Sequence, residues 1–461
     1  MKRTATLLAA AAAALLAPAT ALAASSYPDD YFFASGGQWA LTGAPASIDA
    51  PAAWCASTGA GVVVADVDTG ADFSHPDLAG KLIAGVAFLG GTSSSETSPT
   101  GSGQAAVTDD NGHGTMTTGV IAADTGNGIG VAAVAPDARA LIVKVLGSDG
   151  RGYESDVALG MRWAADHGAN VINLSIGPEQ ISAQGVNLPD LTIPSAAAYA
   201  ANKGVAVVLA AGNSDQSQAV YPNLGGIALD AGALTPQATM SSYSNHGGDV
   251  SIYAPGGSVT DPSQMTVQNS VVSTYAGGQY AVADGTSLSA PMVSGTLALL
   301  MARGMSSKQA MSAVTGSAVT RNGLPDLDAA AALGVPASQR CGSPTTPGAP
   351  PPSTVRAGGT PRGGSAPVQP VAHTAAPAAT AQAAVTATPA ADSTPASQSP
   401  TPESVPLAAV PSPRVFVATP PAHPAGAEIA LPLLSALGAV VVLAPMAMWT
   451  AQLVRRRRRS R

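Results

Sequence analysis

Residues 61–70 read Gly61-Val62-Val63-Val64-Ala65-Asp66-Val67-Asp68-Thr69-Gly70, and this stretch decides the fold. It is a short, Val-rich run that stops at a carboxylate and a glycine turn. A β-branched run this short, apolar on both faces, predicts a strand buried on both sides. Three later runs share its character: ALIVKVL (140–146), VINLSI (171–176) and VAVVLAA (205–211). Helix-like segments lie between them, at Glu154–His167 and Ser195–Lys203. Strands alternating with helices predict an α/β fold, a mostly parallel sheet flanked by helices. In such sheets chemistry sits beyond the carboxyl ends of the strands. Asp68 falls just past the first run, and Asn213 just past the fourth.

Three more motifs follow Asp68 in order. They are Asn111-Gly112-His113-Gly114-Thr115, Ala210-Ala211-Gly212-Asn213 and Gly285-Thr286-Ser287. Ser287 is a weak nucleophile that needs a base. His113 can take its proton and return it to a leaving amine, and Asp68 can hold the imidazole in the right tautomer. Asn213 can donate its amide to an oxyanion. Ser287 precedes a helix-like segment, Leu288–Met301, whose N-terminal amides and dipole favour negative charge. These are the parts of acyl transfer through a covalent intermediate. The order Asp, His, Ser differs from the chymotrypsin and α/β-hydrolase orders, and no Gly-x-Ser-x-Gly surrounds Ser287. An esterase of the hydrolase type is therefore remote. Asp66 and Ser289 are rivals to Asp68 and Ser287. Asp66 shares the face of Asp68, two residues earlier on one strand. Asp284, just before the serine motif, either adjusts local pKa values or points outwards.

VDTG, NGHGT, AAGN and GTSLSAP together resemble the signatures of the subtilisin-like serine proteases, the subtilases, over roughly residues 29 to 330. The resemblance implies a subtilisin-like three-layer fold and a serine endopeptidase acting on protein or peptide substrates. It implies Asp68, His113 and Ser287 as the triad, with Asn213 as oxyanion donor. Ser175-Ile176-Gly177 and Ala210-Ala211-Gly212 would bind substrate. Met116 and Met292 stand where subtilases often carry histidine. No cofactor is needed for the chemistry. A structural calcium is implied by Asp29, Asp77 and Asn127, oxygen ligands that suit the ion. The alternative there is a glycine turn beside ordinary surface carboxylates. The other functional class is a catalytically silent scaffold of a secretion or cell-envelope assembly, which the four intact motifs disfavour.

The rest of the chain sets the context. Lys2, Arg3, the apolar run Leu7–Leu16 and Ala21-Leu22-Ala23 predict a signal peptide over residues 1–23. The peptidase domain is expected over 24–341. Only about 25 residues separate the expected cleavage site from Ile48–Trp54, and they resemble the N-terminal arm of thermitase-like domains, with no inhibitory propeptide. The two cysteines, Cys55 and Cys341, flank the domain. In an exported chain they are expected to pair. Closing so long a loop contributes about 5 kcal/mol in the chain-entropy model.

Half of the 38 prolines fall in a Pro/Ala/Thr/Ser-rich stretch, 342–427, which cannot bury a core and reads as a disordered spacer. Within 428–454 the run Ile429–Trp449 is apolar and long enough to cross a bilayer as a helix. Arg455–Arg459 follow it, in a tail of residues 455–461 that the positive-inside rule puts in the cytoplasm. The expected location is the cell membrane, single-pass, with the catalytic domain outside. Signal, protease, spacer, helix and basic tail resemble the mycosins, which implies a secretion apparatus as a partner. The net charge of −7 already includes those five arginines, so the remainder is clearly acidic and nucleic acid is no partner.

Overall fold

The computed structural model describes residues 28–90, 98–177, 181–182, 192–221, 224 and 226–336. The expected signal peptide, spacer, membrane helix, basic tail and Cys341 lie outside the described residues.

The 61–70 stretch forms β1 (Val63–Asp68), and alternation along it sorts its side chains between two cores. Ala65 and Val67 pack on one face, while Val64 packs on the other. Asp66 and Asp68 share the second face. β1 lies in a ten-stranded sheet built from most of the chain's other strands. These are β2 (Leu82–Ala87), β3 (Gly101–Ser102), β4 (Arg139–Lys144), β6 (Val171–Leu174), β8 (Ala206–Ala210), β9 (Leu229–Leu234), β10 (Ile252–Pro255), β13 (Val319–Arg321) and β14 (Leu324–Asp326). The spatial order is β13-β14-β10-β9-β8-β6-β1-β4-β2-β3. Only the edge pairs β2–β3 and β13–β14 are antiparallel. Two small pairs stand apart: β5 (Gly152–Tyr153) with β7 (Ile181–Ser182), and the hairpin β11 (Val271–Tyr275) with β12 (Gln279–Ala283).

The chain runs outward from β1 to β2 and β4, then crosses to β6 on the other side of β1. β1 therefore sits at the switch point, where such sheets carry their sites beyond the carboxyl ends of the strands.

Eight helices complete the described chain: α1 (Tyr31–Ala34), α2 (Ala50–Ala53), α3 (His113–Ala122), α4 (Glu154–Asp166), α5 (Ile193–Asn202), α6 (Thr286–Ala302), α7 (Ser307–Gly316) and α8 (Ala329–Ala332). α4 and α5 cover the face of Ala65 and Val67, while α3 and α6 cover the opposite face and pack on each other. α3 is buried from Gly114 to Ala122, and α6 over nearly its whole length. A helix apolar all round belongs in the core of a large domain. The three layers are those expected. Cys55 is half-buried just after α2. Among the described residues no helix is long and apolar enough to cross a membrane.

Candidate active site

The site forms where β1, β6 and β8 end and α3 and α6 begin. His113 is the first residue of α3, following Gly112 at φ +109°. That left-handed conformation favours glycine, and a Cβ there would run into the Tyr275 ring. Tyr275 donates its hydroxyl to Asn111 O at 3.0 Å, so the hairpin holds the turn into α3 from the side. Gly114 faces Gly70 O so closely that any side chain would part α3 from β1. Both glycines of the histidine motif thus serve close approach.

His113 Nδ1 lies 2.8 Å from Asp68 Oδ1 and 2.9 Å from Oδ2. Asp68 is 1% exposed and also accepts from Thr69 N at 2.7 Å. An ionised carboxylate only accepts, so Nδ1 carries the proton and Nε2 is the basic nitrogen. Burial opposes charge on the imidazole. The Asp68 carboxylate and its hydrogen bond outweigh that, helped by the charges of Asp66 and Asp109, and the His113 pKa is raised. Asp109 is a part of the site that motif reading missed. Its oxygens accept from Thr69 Oγ1, Asn111 N, Gly112 N, Thr115 N and Thr115 Oγ1 at 2.5–3.0 Å. One buried carboxylate therefore shapes the whole turn before His113.

Ser287 is half-buried in the first turn of α6. A Cβ placed on Gly285 would sit 3.0 Å from Ser287 Oγ and 3.5 Å from Asn213 Nδ2, so the hydroxyl and the amide border one small space. Asn213 Oδ1 accepts from Thr286 N and Thr286 Oγ1, both at 2.9 Å. Those bonds turn Nδ2, the donor, toward the Ser287 side. Gly212 N donates to Thr286 Oγ1 at 3.2 Å, which ties the end of β8 to the start of α6.

Pro291 lies inside α6 and has no N–H. The carbonyl four residues earlier, that of Ser287, therefore has no helical donor. Ser175 Oγ donates to it at 2.9 Å. Ser175 is 1% exposed, so its side chain supports the nucleophile from beneath. Ile176, Gly177, Ala210, Ala211 and Gly212 are buried too. Ala211 N and O pair with Ala231 O and Val220 N, and Gly212 O accepts from Asn245 N. The second of the two segments is thus a fixed wall whose amides are engaged within the fold.

Asp284 points inward. Its Oδ2 accepts from Val259 N at 2.8 Å, and burial pushes its carboxyl up to about 7. Ser289 donates to Ala254 O and Pro255 O, away from the site. Met116 and Met292 are buried at 4% and 2% exposure and pack in the core around α3 and α6.

The expected calcium residues are only partly brought together. Asp77 is fully buried, with Oδ1 accepting from Asn127 Nδ2 and Oδ2 from Val131 N, both at 2.8 Å. Asp29 is exposed and accepts from Gly128 N at 3.1 Å. Its neighbour Asp30 is the buried acid, accepting from Gly126 N at 2.9 Å. Both acids of the arm thus reach the same loop, Asp29 from its exposed side and Asp30 from its buried side. Burial pushes Asp77 up to about 7, and the charge of Asp30 adds to it. Among the described residues, no group of three or more His, Cys, Asp or Glu side chains gathers around a metal position. Asp30 and Asp77, two buried carboxylates held by the amides of one loop, supply oxygen ligands of the kind a hard cation takes.

A hydroxyl at a helix N-terminus, an imidazole oriented by a buried carboxylate and an amide donor beside the hydroxyl define a serine hydrolase. The Subtilase family profile matches residues 59–337, and the chain belongs to that family. It is 35% identical to thermitase of Thermoactinomyces vulgaris over 274 residues, 59% of this chain and 87% of that protein. It is 40% identical to subtilisin BL of Lederbergia lenta over 243 residues, 53% of this chain and 77% of that protein. Among solved structures it is similar to a protease from Pseudoalteromonas arctica PAMC 21717, with TM-score 0.57 and 29% identity, covering 67% of this chain and 98% of that one. The chain is a subtilisin-like α/β protein and a serine-type endopeptidase.

Proposed function

We propose an exported, membrane-anchored endopeptidase that cuts peptide bonds with Asp68, His113 and Ser287, assisted by Asn213. The observation that carries the chemistry is the hydrogen bond from His113 Nδ1 to the buried Asp68 carboxylate, which leaves Nε2 as the basic nitrogen. Ser287 Oγ attacks the scissile carbonyl carbon as its proton passes to Nε2. The carbonyl oxygen becomes an oxyanion that accepts from Asn213 Nδ2. The imidazolium, stabilised by Asp68, gives its proton to the leaving amine as the C–N bond breaks and an acyl-serine remains. Water then attacks that ester with Nε2 again taking the proton, which releases the acid and restores Ser287.

The anchor reading rests on Ile429–Trp449 and Arg455–Arg459, and the export reading on residues 1–23. The domain boundaries 24–341, 342–427, 428–454 and 455–461 follow from them. A Cys55–Cys341 bridge would tie the end of the domain to α2. The spacer would hold the protease away from the bilayer, with a secretion apparatus at the membrane as its partner. Fractionation of cells expressing the full chain tests the anchor. Activity is expected to stay with membranes in high salt and to enter solution with detergent. Release by salt alone would sink it.

Calcium is part of the same proposal, held by Asp30, Asp77 and the oxygens of the 124–131 loop, where it would offset two buried negative charges. Chelation is expected to lower Tm by roughly 5–10 °C, from about 2.7 kcal/mol of linkage at 100-fold excess over Kd and about 2–4 °C per kcal/mol. Calcium should restore it. An unchanged Tm in chelator retires the site.

A further inference from the structure

Asp66 has no part in the chemistry above, yet it is 1% exposed beneath it. It shares the face of Asp68 one step back along β1. Its Oδ2 accepts from Thr117 Oγ1 at 2.8 Å and Thr118 Oγ1 at 2.7 Å, both on α3, one turn after His113. Its Oδ1 accepts from Asn173 Nδ2 at 2.9 Å, on the neighbouring strand β6. The Asn173 amide is fixed in direction because its Oδ1 accepts from Ser294 Oγ of α6 at 2.9 Å. The same Nδ2 reaches Ser175 Oγ at 3.0 Å, and Ser175 Oγ donates to Ser287 O. Asp66 is thus the shared acceptor of the helix that carries His113 and of the strand that supports Ser287.

All three side-chain partners can donate to it, and the Asn173 amide can do nothing else, which is the pattern around an ionised carboxylate. Leaving such donors without an acceptor, or the carboxylate without donors, costs stability. A buried acid at this position would be strongly disfavoured unless it acted with its neighbours.

We propose that Asp66 is a positioning residue: it locks α3 to β6 and supplies a second negative charge behind Asp68 that favours the His113 imidazolium. This rests on the triad reading above. The charged and titratable groups around it are few. Asp68 lies on its own strand and His113 on α3. β4 contributes Lys144, opposite Asp68, whose Nζ is taken by Thr69 O and Asp110 Oδ1. Asp109 is saturated by the turn before His113. β6 and α6 bring only the uncharged Asn173, Ser175 and Ser294. Burial and the charge of Asp68 push the Asp66 carboxyl up, and hydrogen bonds from Thr118, Asn173 and Thr117 oppose them. Above that pKa the charge is present and raises the basicity of His113. Removing it lowers the His113 pKa and moves the acid limb of activity to lower pH.

The test is Asp66→Asn, read by the pH profile of kcat/KM and by titration of the His113 imidazole in the full-length protein. The acid limb is expected to move down by at least about 0.5 pH unit. kcat should fall roughly 10-fold with KM little changed, since loss of positioning affects the reacting atoms rather than remote binding. A limb that stays in place while kcat holds overturns the proposal, and so does a fall in Tm alone. If the Asn variant does not fold, Thr118→Val and Thr118→Ser replace it. Val, which removes one donor to Asp66, is expected to lower kcat and shift the limb, and Ser to restore both; two variants that match the parent also overturn the proposal. Failure of the triad reading looks different: Ser287→Ala would then keep its activity whatever Asp66 does.

Discussion

Ser287→Ala is expected to lower kcat by about 10⁶-fold and to abolish covalent labelling by a fluorophosphonate, with Tm almost unchanged. That magnitude is the one measured for triad serine loss in subtilisin. The hydroxyl is half-buried and makes no bond that the fold needs, because Ser175 holds the Ser287 carbonyl rather than its side chain. Adding His113→Ala to Ser287→Ala is expected to change kcat by less than about 3-fold, since a base without its nucleophile has nothing to activate. A well-folded parent chain that is never labelled would move the reading toward a silent scaffold. Labelling that survives in Ser287→Ala would place the nucleophile elsewhere. Ser289 is a poor substitute, because its hydroxyl is turned toward the Ala254 and Pro255 carbonyls.

The sheet was legible because its central strands are local patterns. The runs at 61–67, 140–146, 171–176 and 205–211 coincide with β1, β4, β6 and β8 to within one or two residues, and Glu154–His167 with α4. Strands buried on both faces leave a continuous apolar run, and helices against solvent leave a period. The other side of the sheet left less trace. α3 is buried all round, so it has no amphipathic period, and its start is fixed by Asp109 and Tyr275 across the fold.

Asp68 and His113 are hydrogen-bonded, and Ser287 and Asn213 border one space, because each motif is a strand end or a helix start. Their supports were not legible. That Ser175 turns beneath the nucleophile depends on Pro291, 116 positions later, stripping a donor from one carbonyl. Asp29 and Asp30 were indistinguishable as letters, since only the turn into α1 decides which one faces Asp77. Asp66 looked like a rival to Asp68 for the same reason: strand alternation puts both on one face. The second acid could be assigned only after Thr117, Thr118 and Asn173 were seen around it.

Asn213 offers the second large effect, and its two ends allow two functions to be separated. Oδ1 accepts from Thr286 N and Thr286 Oγ1, so it caps the first turn of α6. Nδ2 is the end that borders the Ser287 hydroxyl. Asn213→Ala removes both. It is expected to lower kcat by about 10²–10³-fold, or roughly 2.7–4 kcal/mol, the range measured for the oxyanion donor of subtilisin. It should also cost about 1 kcal/mol of stability through the lost cap. Asn213→Asp keeps an acceptor for Thr286 and loses the donor. Its Tm should stay at or above that of the parent, because a carboxylate at a helix N-terminus is favourable. Its kcat should fall at least as far as that of the alanine variant, since a negative charge would face a developing oxyanion. KM is expected to change less than about 2-fold in both, because the bond forms only as charge develops. An Asp variant that keeps kcat within about 10-fold of the parent would show that the amide donor is dispensable. Stabilisation of the oxyanion would then fall to the backbone amides at the start of α6, and the Asn213 motif would be reduced to a helix cap.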